Sequence, residues 1–127
     1  MKRDIENRED LHKIVSTFYE KLFEDQIMRD FFIEFRDPES LEKHLQVLVD
    51  FWDGILFDSG TYRKNAIQPH LEKNKEIPFE SIHFEQWMNL FSKSIDENFL
   101  GQVAETAKSR AQSIATVMQI KMIQLKK

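Results

Sequence analysis

Between Leu41 and Leu56 the apolar residues recur at three- and four-residue steps: Leu41, Leu45, Leu48, Val49, Trp52, Ile55 and Leu56, with Phe51 beside Trp52. That period puts them on one broad helical face and does not fit the two-residue alternation of a half-buried strand. The same face carries a histidine, His44, one turn before Leu48. Asp37-Pro38-Glu39-Ser40 reads as the start of this helix, since aspartate suits the N-cap and proline the first helical position. The helix is therefore expected from about Pro38 to Phe57.

Three other stretches share the helical period. Asn7 to about Glu24 places Leu11, Ile14, Val15, Phe18 and Leu22 on one face, with Tyr19 bordering it. Phe79 to about Asn98 is expected to bury Ile82, Phe84, Trp87, Met88, Phe91 and Ile95. Gly101 separates that helix from a last one, about Gln102 to Leu125, whose seam is Val103, Ala107, Ala111, Ile114, Met118, Met122 and Leu125. The alanines of the seam permit close helix approach, and Lys121, Lys126 and Lys127 complement the helix dipole. Asp25 to Phe35, dense in Ile27, Met28, Phe31, Phe32 and Phe35, reads as a short helix or tight turns. Asp58-Ser59-Gly60-Thr61 reads as a turn, Tyr62 to about Lys75 as a loop with a short helix around His70 and Leu71, and Pro78 as a boundary. Glycine and proline number three each, so little interrupts the helices and the fold class is all-α. No repeat, low-complexity tract or linker divides the chain, and 127 residues suit one domain with a real core.

Charge and composition narrow the function. The formal charge is −4 and the pI about 5.6, with no basic stripe interleaved with aromatics, which argues against nucleic-acid binding. The apolar runs are too short to span a bilayer and no signal-peptide pattern opens the chain, so a cytoplasmic protein with no membrane partner is expected. There is no cysteine, which excludes disulfides and Cys-based zinc sites. Eleven phenylalanines and five methionines either pack a core or wrap an apolar ligand, and the count favours neither.

A few residues have two readings. Tyr19 is either a boundary tyrosine with its hydroxyl in water, the better reading from position alone, or a donor aimed into a dry pocket. His44 is either a core histidine bonded to a carbonyl, the safer reading for a lone histidine, or a group facing a ligand cavity, with Phe51 and Trp52 against a planar cofactor. His70 is either a surface histidine in a polar loop or a ligand, and pattern alone does not decide. Trp87 would ordinarily be core, its indole N–H seeking one acceptor. His83 is assigned a structural role or exposure.

Read together, these residues resemble the truncated haemoglobins, specifically the third group. Phe18-Tyr19-Glu20-Lys21 is similar to the family's distal tyrosine in its setting. Lys43-His44 and Phe51-Trp52 resemble the distal histidine and the aromatic pair that follows it. Tyr62, then Pro69-His70-Leu71, resembles the proximal-ligand segment, and His83-Phe84 with Trp87 the start of the tryptophan-bearing helix. Lys108-Ser109-Arg110-Ala111 through Ile114-Ala115-Thr116-Val117-Met118 also resembles bacterial members. The absence of any Gly-Gly suits the third group. The likeness covers nearly the whole chain, and the motifs are more specific in their order than singly.

The resemblance implies a truncated globin, a two-over-two helical sandwich around a haem. It implies haem b held non-covalently, since no Cys-x-x-Cys-His is present, with His70 as the iron ligand. Leu48, Phe51, Trp52, Leu71, Phe84, Phe91 and either Phe31 or Phe32 would line the cofactor, and Arg63, Lys64 and Lys73 are candidates for its propionates. On the opposite, distal side Tyr19, His44 and Trp87 would meet O₂ or another diatomic ligand, and a polar pocket suits slow release or redox chemistry. The alternative is a peroxidase-like or nitric-oxide-detoxifying enzyme with an external reductase as electron donor. A haem-free helical module that binds a partner explains the apolar stripes equally well. A monomer is expected.

Overall fold

The first helix, α1 (Arg8–Glu24), starts where Asn7 leaves the helical region and its side chain accepts the Asp10 backbone N–H at 3.0 Å. The computed structural model describes residues 2–57 and 80–125. Beyond α1, Asp25 turns extended and its Oδ1 accepts the backbone N–H groups of Ile27 and Met28 at 2.9 and 3.0 Å. This launches a 3-10 stretch, Arg29–Arg36, kinked at Phe32, that buries Phe31 and Phe32 while Ile27 and Ile33 stay exposed. Helix α2 (Pro38–Phe57) follows at once, its first turn capped by Asp37 Oδ2, which accepts the Ser40 N–H at 3.0 Å.

Helix α3 (Ser81–Asp96) opens on a reciprocal cap. The Glu80 side chain accepts the His83 N–H, and His83 Nδ1 accepts the Glu80 N–H at 2.7 Å. That cap sets the start of α3, which ends at Asp96, short of the expected Asn98. Ile82, expected inside, falls in the first turn on the outer side of the cap and is 52% exposed. Leu90 and Ser94 take buried places that apolar periodicity did not assign, the Ser94 hydroxyl donating to the Leu90 carbonyl at 2.8 Å. Helix α4 (Gln102–Leu125) runs back along α3, with Ala104, Ala107, Ala111, Ala115 and Met118 buried as the close-approach seam. The side chains of Met122 and Leu125, and Lys126 and Lys127 entirely, lie outside the described residues.

The helices form two crossed pairs. α1 lies on α2 and on α3, α3 on α4, and α2 meets α4 more lightly. The result is an all-α, two-over-two sandwich. Its middle holds a column of rings: Phe91 stacks between Trp52 (5.2 Å, 19°) and Trp87 (5.8 Å, 5°), with Phe18 edge-on to it at 5.2 Å. Such ring pairs add to the burial of their area.

The N-terminal residues tie the two layers. Arg3 O accepts the Leu100 N–H at 2.9 Å, and the Asp4 carboxylate accepts the Val103 and Ala104 N–H groups at 2.8 and 2.9 Å, capping α4 from a hundred residues away. Gly101 makes this approach possible. Its φ is +153°, and a Cβ there would lie 2.4 Å from Asp4 Cγ. No helix among the described residues is long and apolar enough to cross a membrane.

Candidate functional site

Tyr19 is 1% exposed, which corrects the reading that leaves its hydroxyl in water. Its position one step round from Phe18 suggested a boundary, but the 3-10 stretch folds back over that edge of α1. Phe18, Phe23, Phe32 and Phe35 all meet the ring edge-on, with centroids 5.5 to 6.0 Å away. Within this dry enclosure the Tyr19 hydroxyl lies 2.7 Å from His44 Nε2. Burial pushes the phenol far above its usual range, with the negative charge of Glu34 adding to the effect, so the hydroxyl keeps its proton. The bond therefore has two forms. Either the phenol donates to Nε2, or Nε2–H donates to the phenolic oxygen and leaves the phenolic hydrogen free for a third group.

His44 is half-buried on α2, and its ring lies flat on Phe35, 4.2 Å between centroids and 13° between planes. Trp87, on α3, is 7% exposed and reaches the same cluster through Phe18, whose ring stands 5.6 Å from Trp87 and 5.7 Å from Tyr19. The Trp87 indole N–H has no hydrogen-bond acceptor among the described residues. A buried indole N–H usually finds one, so this donor is available to a bound group.

The other expected lining residues divide. Leu48, Trp52, Phe84, Phe91, Phe31 and Phe32 are buried, and Phe51 is half-buried and edge-on to Trp52 at 5.6 Å. One face of Trp52 is taken by Phe91. His83 has the structural part expected of it, as half of the α3 cap, and Phe31 meets its ring edge-on at 4.7 Å. His70 and Leu71 lie outside the described residues, as do Tyr62, Arg63, Lys64 and Lys73. In the sequence Phe35 reads only as apolar bulk. Its pairing with His44 joins two different elements, and no local pattern announces it.

Crossed helix pairs around a buried phenol and indole and a half-buried imidazole define a globin-type architecture. The chain belongs to the bacterial-like globin family, whose model matches residues 4–123. It is 29% identical over 121 residues to the group 3 truncated hemoglobin ctb of Campylobacter jejuni subsp. jejuni, covering 94% of this chain and 93% of the relative. The fold is similar to the crystal structure of group III truncated hemoglobin from Campylobacter jejuni, with a TM-score of 0.84 and 28% identity over 96% of this chain and 95% of that one. The likeness to third-group truncated haemoglobins thus holds in sequence and in fold. Membership makes the chain, in general terms, a haem-binding globin.

Proposed function

We propose that this chain holds haem b non-covalently, with His70 as the protein ligand to iron, and binds O₂ or another diatomic molecule beside Tyr19 and Trp87. One observation carries the reading: a phenol and an imidazole are hydrogen-bonded inside a ring of aromatics, joined through Phe18 to a buried indole N–H that has no acceptor among the described residues. A finished apolar core has no use for such a donor, whereas a polar diatomic ligand does. The residues fit the cofactor.

Haem, when bound, would supply the iron that takes the diatomic ligand. The chain supplies the rest. Leu48, Phe51, Trp52, Phe84 and Phe91, with Leu71, provide apolar surface that excludes water, which strengthens every hydrogen bond made inside. Trp87 donates its indole hydrogen. Tyr19 donates its phenolic hydrogen when His44 Nε2–H is the donor within their own bond, so the His44 tautomer decides whether Tyr19 is free. Each donor to a partly charged ligand contributes roughly 1.5–3 kcal/mol, and two of them favour slow release.

The test is O₂ dissociation from the haem-loaded protein. Tyr19→Phe and Trp87→Phe are each expected to speed release by roughly tenfold or more, since 1.4 kcal/mol is a factor of ten. If both variants release O₂ at the parent rate, these residues are not the donors.

A further inference from the structure

We infer that Phe35 is a positioning residue for the distal pair, a flat backing that holds the His44 imidazole closed against Tyr19. The inference rests on the proposed function for its meaning and on separate geometry for its support. The face of Phe35 lies on His44 at 4.2 Å and 13°, while its edge meets Tyr19 at 6.0 Å and 82°. One ring therefore touches both members of the 2.7 Å bond.

Phe35 is itself fixed from both sides. Next to it, the Arg36 guanidinium donates to the Phe23 carbonyl at 3.1 Å and lies over the Phe23 ring, clipping this end of the 3-10 stretch to the last turns of α1. One residue further on, Asp37 caps α2 through the Ser40 N–H. The ring is thus anchored to the two helices that carry Tyr19 and His44. A residue that only filled the core would turn its face inward. Phe35 stays half-buried and spends that face on an imidazole that is also half-buried. An imidazole able to swing to solvent opens a path to the iron, and the stack with Phe35 resists that swing.

The experiment is CO binding to the haem-loaded full-length chain, read by association rate and by the infrared C–O stretch, which reports the donors facing the ligand. An aromatic pair is worth a roughly two- to tenfold shift in a conformational equilibrium. Phe35→Leu should accelerate CO association by that factor and add a second C–O band from a pocket without the Tyr19–His44 pair. Phe35→Tyr, which keeps a flat ring, should restore the parent rate and single band. In a His44→Leu background, Phe35→Leu should have no further effect, because Phe35 acts through His44.

Parent behaviour in Phe35→Leu overturns the inference. So does equal disturbance by Phe35→Tyr and Phe35→Leu, or a full effect in the His44→Leu background, since each marks Phe35 as packing alone. A failure of the underlying reading looks different: the parent protein then takes up no haem, or its C–O band ignores Tyr19→Phe.

Discussion

The two sides of α1 use polar groups in opposite ways. On the outer side Arg8 pairs with Asp50 at 2.5 Å and Asp53 at 2.8 Å, and one turn on His12 meets both oxygens of Glu42 at 3.1 and 3.2 Å. All three pairs cross to α2. On the inner side the bond between Tyr19 and His44 also crosses to α2. Apart from the buried Asp53 carboxylate, the outer partners stand in or beside water, where each pair gains little and salt screens it. The inner bond lies among rings with its phenol fully buried, where a lost partner is poorly replaced by water. The outer contacts therefore guide how the helices lie, and the inner one is where a change is felt both in stability and in chemistry.

The sharpest way to break this contrast is Tyr19→Phe. It leaves the rings packed but strips the His44 ring nitrogen of its partner, so urea unfolding should show a loss of roughly 1–3 kcal/mol that is nearly independent of salt. A smaller loss that vanishes in high salt would make the inner bond no different from the outer ones. Asp4→Ala comes next. It removes the distant cap from α4 and should cost about 0.5–2 kcal/mol in the same measurement.

Acid tests the same carboxylates without mutation. The Arg3 guanidinium, with the Glu6 and Asn7 N–H groups, holds Asp10 below its usual 3.8. For Asp4, burial alone would raise the value, but the N–H groups of Val103, Ala104, Ile5 and Gln102 outweigh it and the carboxyl also falls below 3.8. A folded value below the unfolded one means the unfolded chain binds more protons at low pH. The stability these groups contribute is thus complete above the unfolded value and lost as pH falls through the lower folded one. The urea midpoint should drop in that acid window, and Asp4→Asn should flatten part of the drop.

Asp50→Asn should cost about 1 kcal/mol or less, shrinking with salt, because Arg8 keeps Asp53. His12→Gln should leave the unfolding midpoint unchanged within error. A salt-independent loss in either variant would erase the distinction between the two sides of α1.

Much of the scaffold was legible because it is local. Pro38 after Asp37, Gly101, and the three- and four-residue spacing of Leu45, Leu48, Val49 and Trp52 set α2 and the start of α4 where they are observed. What the chain hides is non-local. Tyr19 looks like a boundary residue until Phe32 and Phe35 close over it, and nothing near Asp4 in the chain marks it as the cap of Val103 and Ala104. Asp10 and Asp53 are buried against the usual habit of aspartate because Arg3 and Arg8 reach them. Ile82 is exposed because the cap at Glu80, not the apolar period, sets the first turn of α3. Only family likeness singles out Tyr19, His44 and Trp87 together; geometry joins the first two by a bond and the third through Phe18.

The central claim is that an iron porphyrin sits between these helix pairs with His70 on its iron. Titrating the haem-free protein with hemin, then recording ferric, ferrous and CO-bound spectra beside those of His70→Ala, addresses it directly. The account predicts stoichiometric uptake by the parent chain with histidine-ligated spectra, and weak retention with altered bands in His70→Ala. A folded parent chain that declines hemin, or a His70→Ala variant with the parent's spectra and retention, would contradict it.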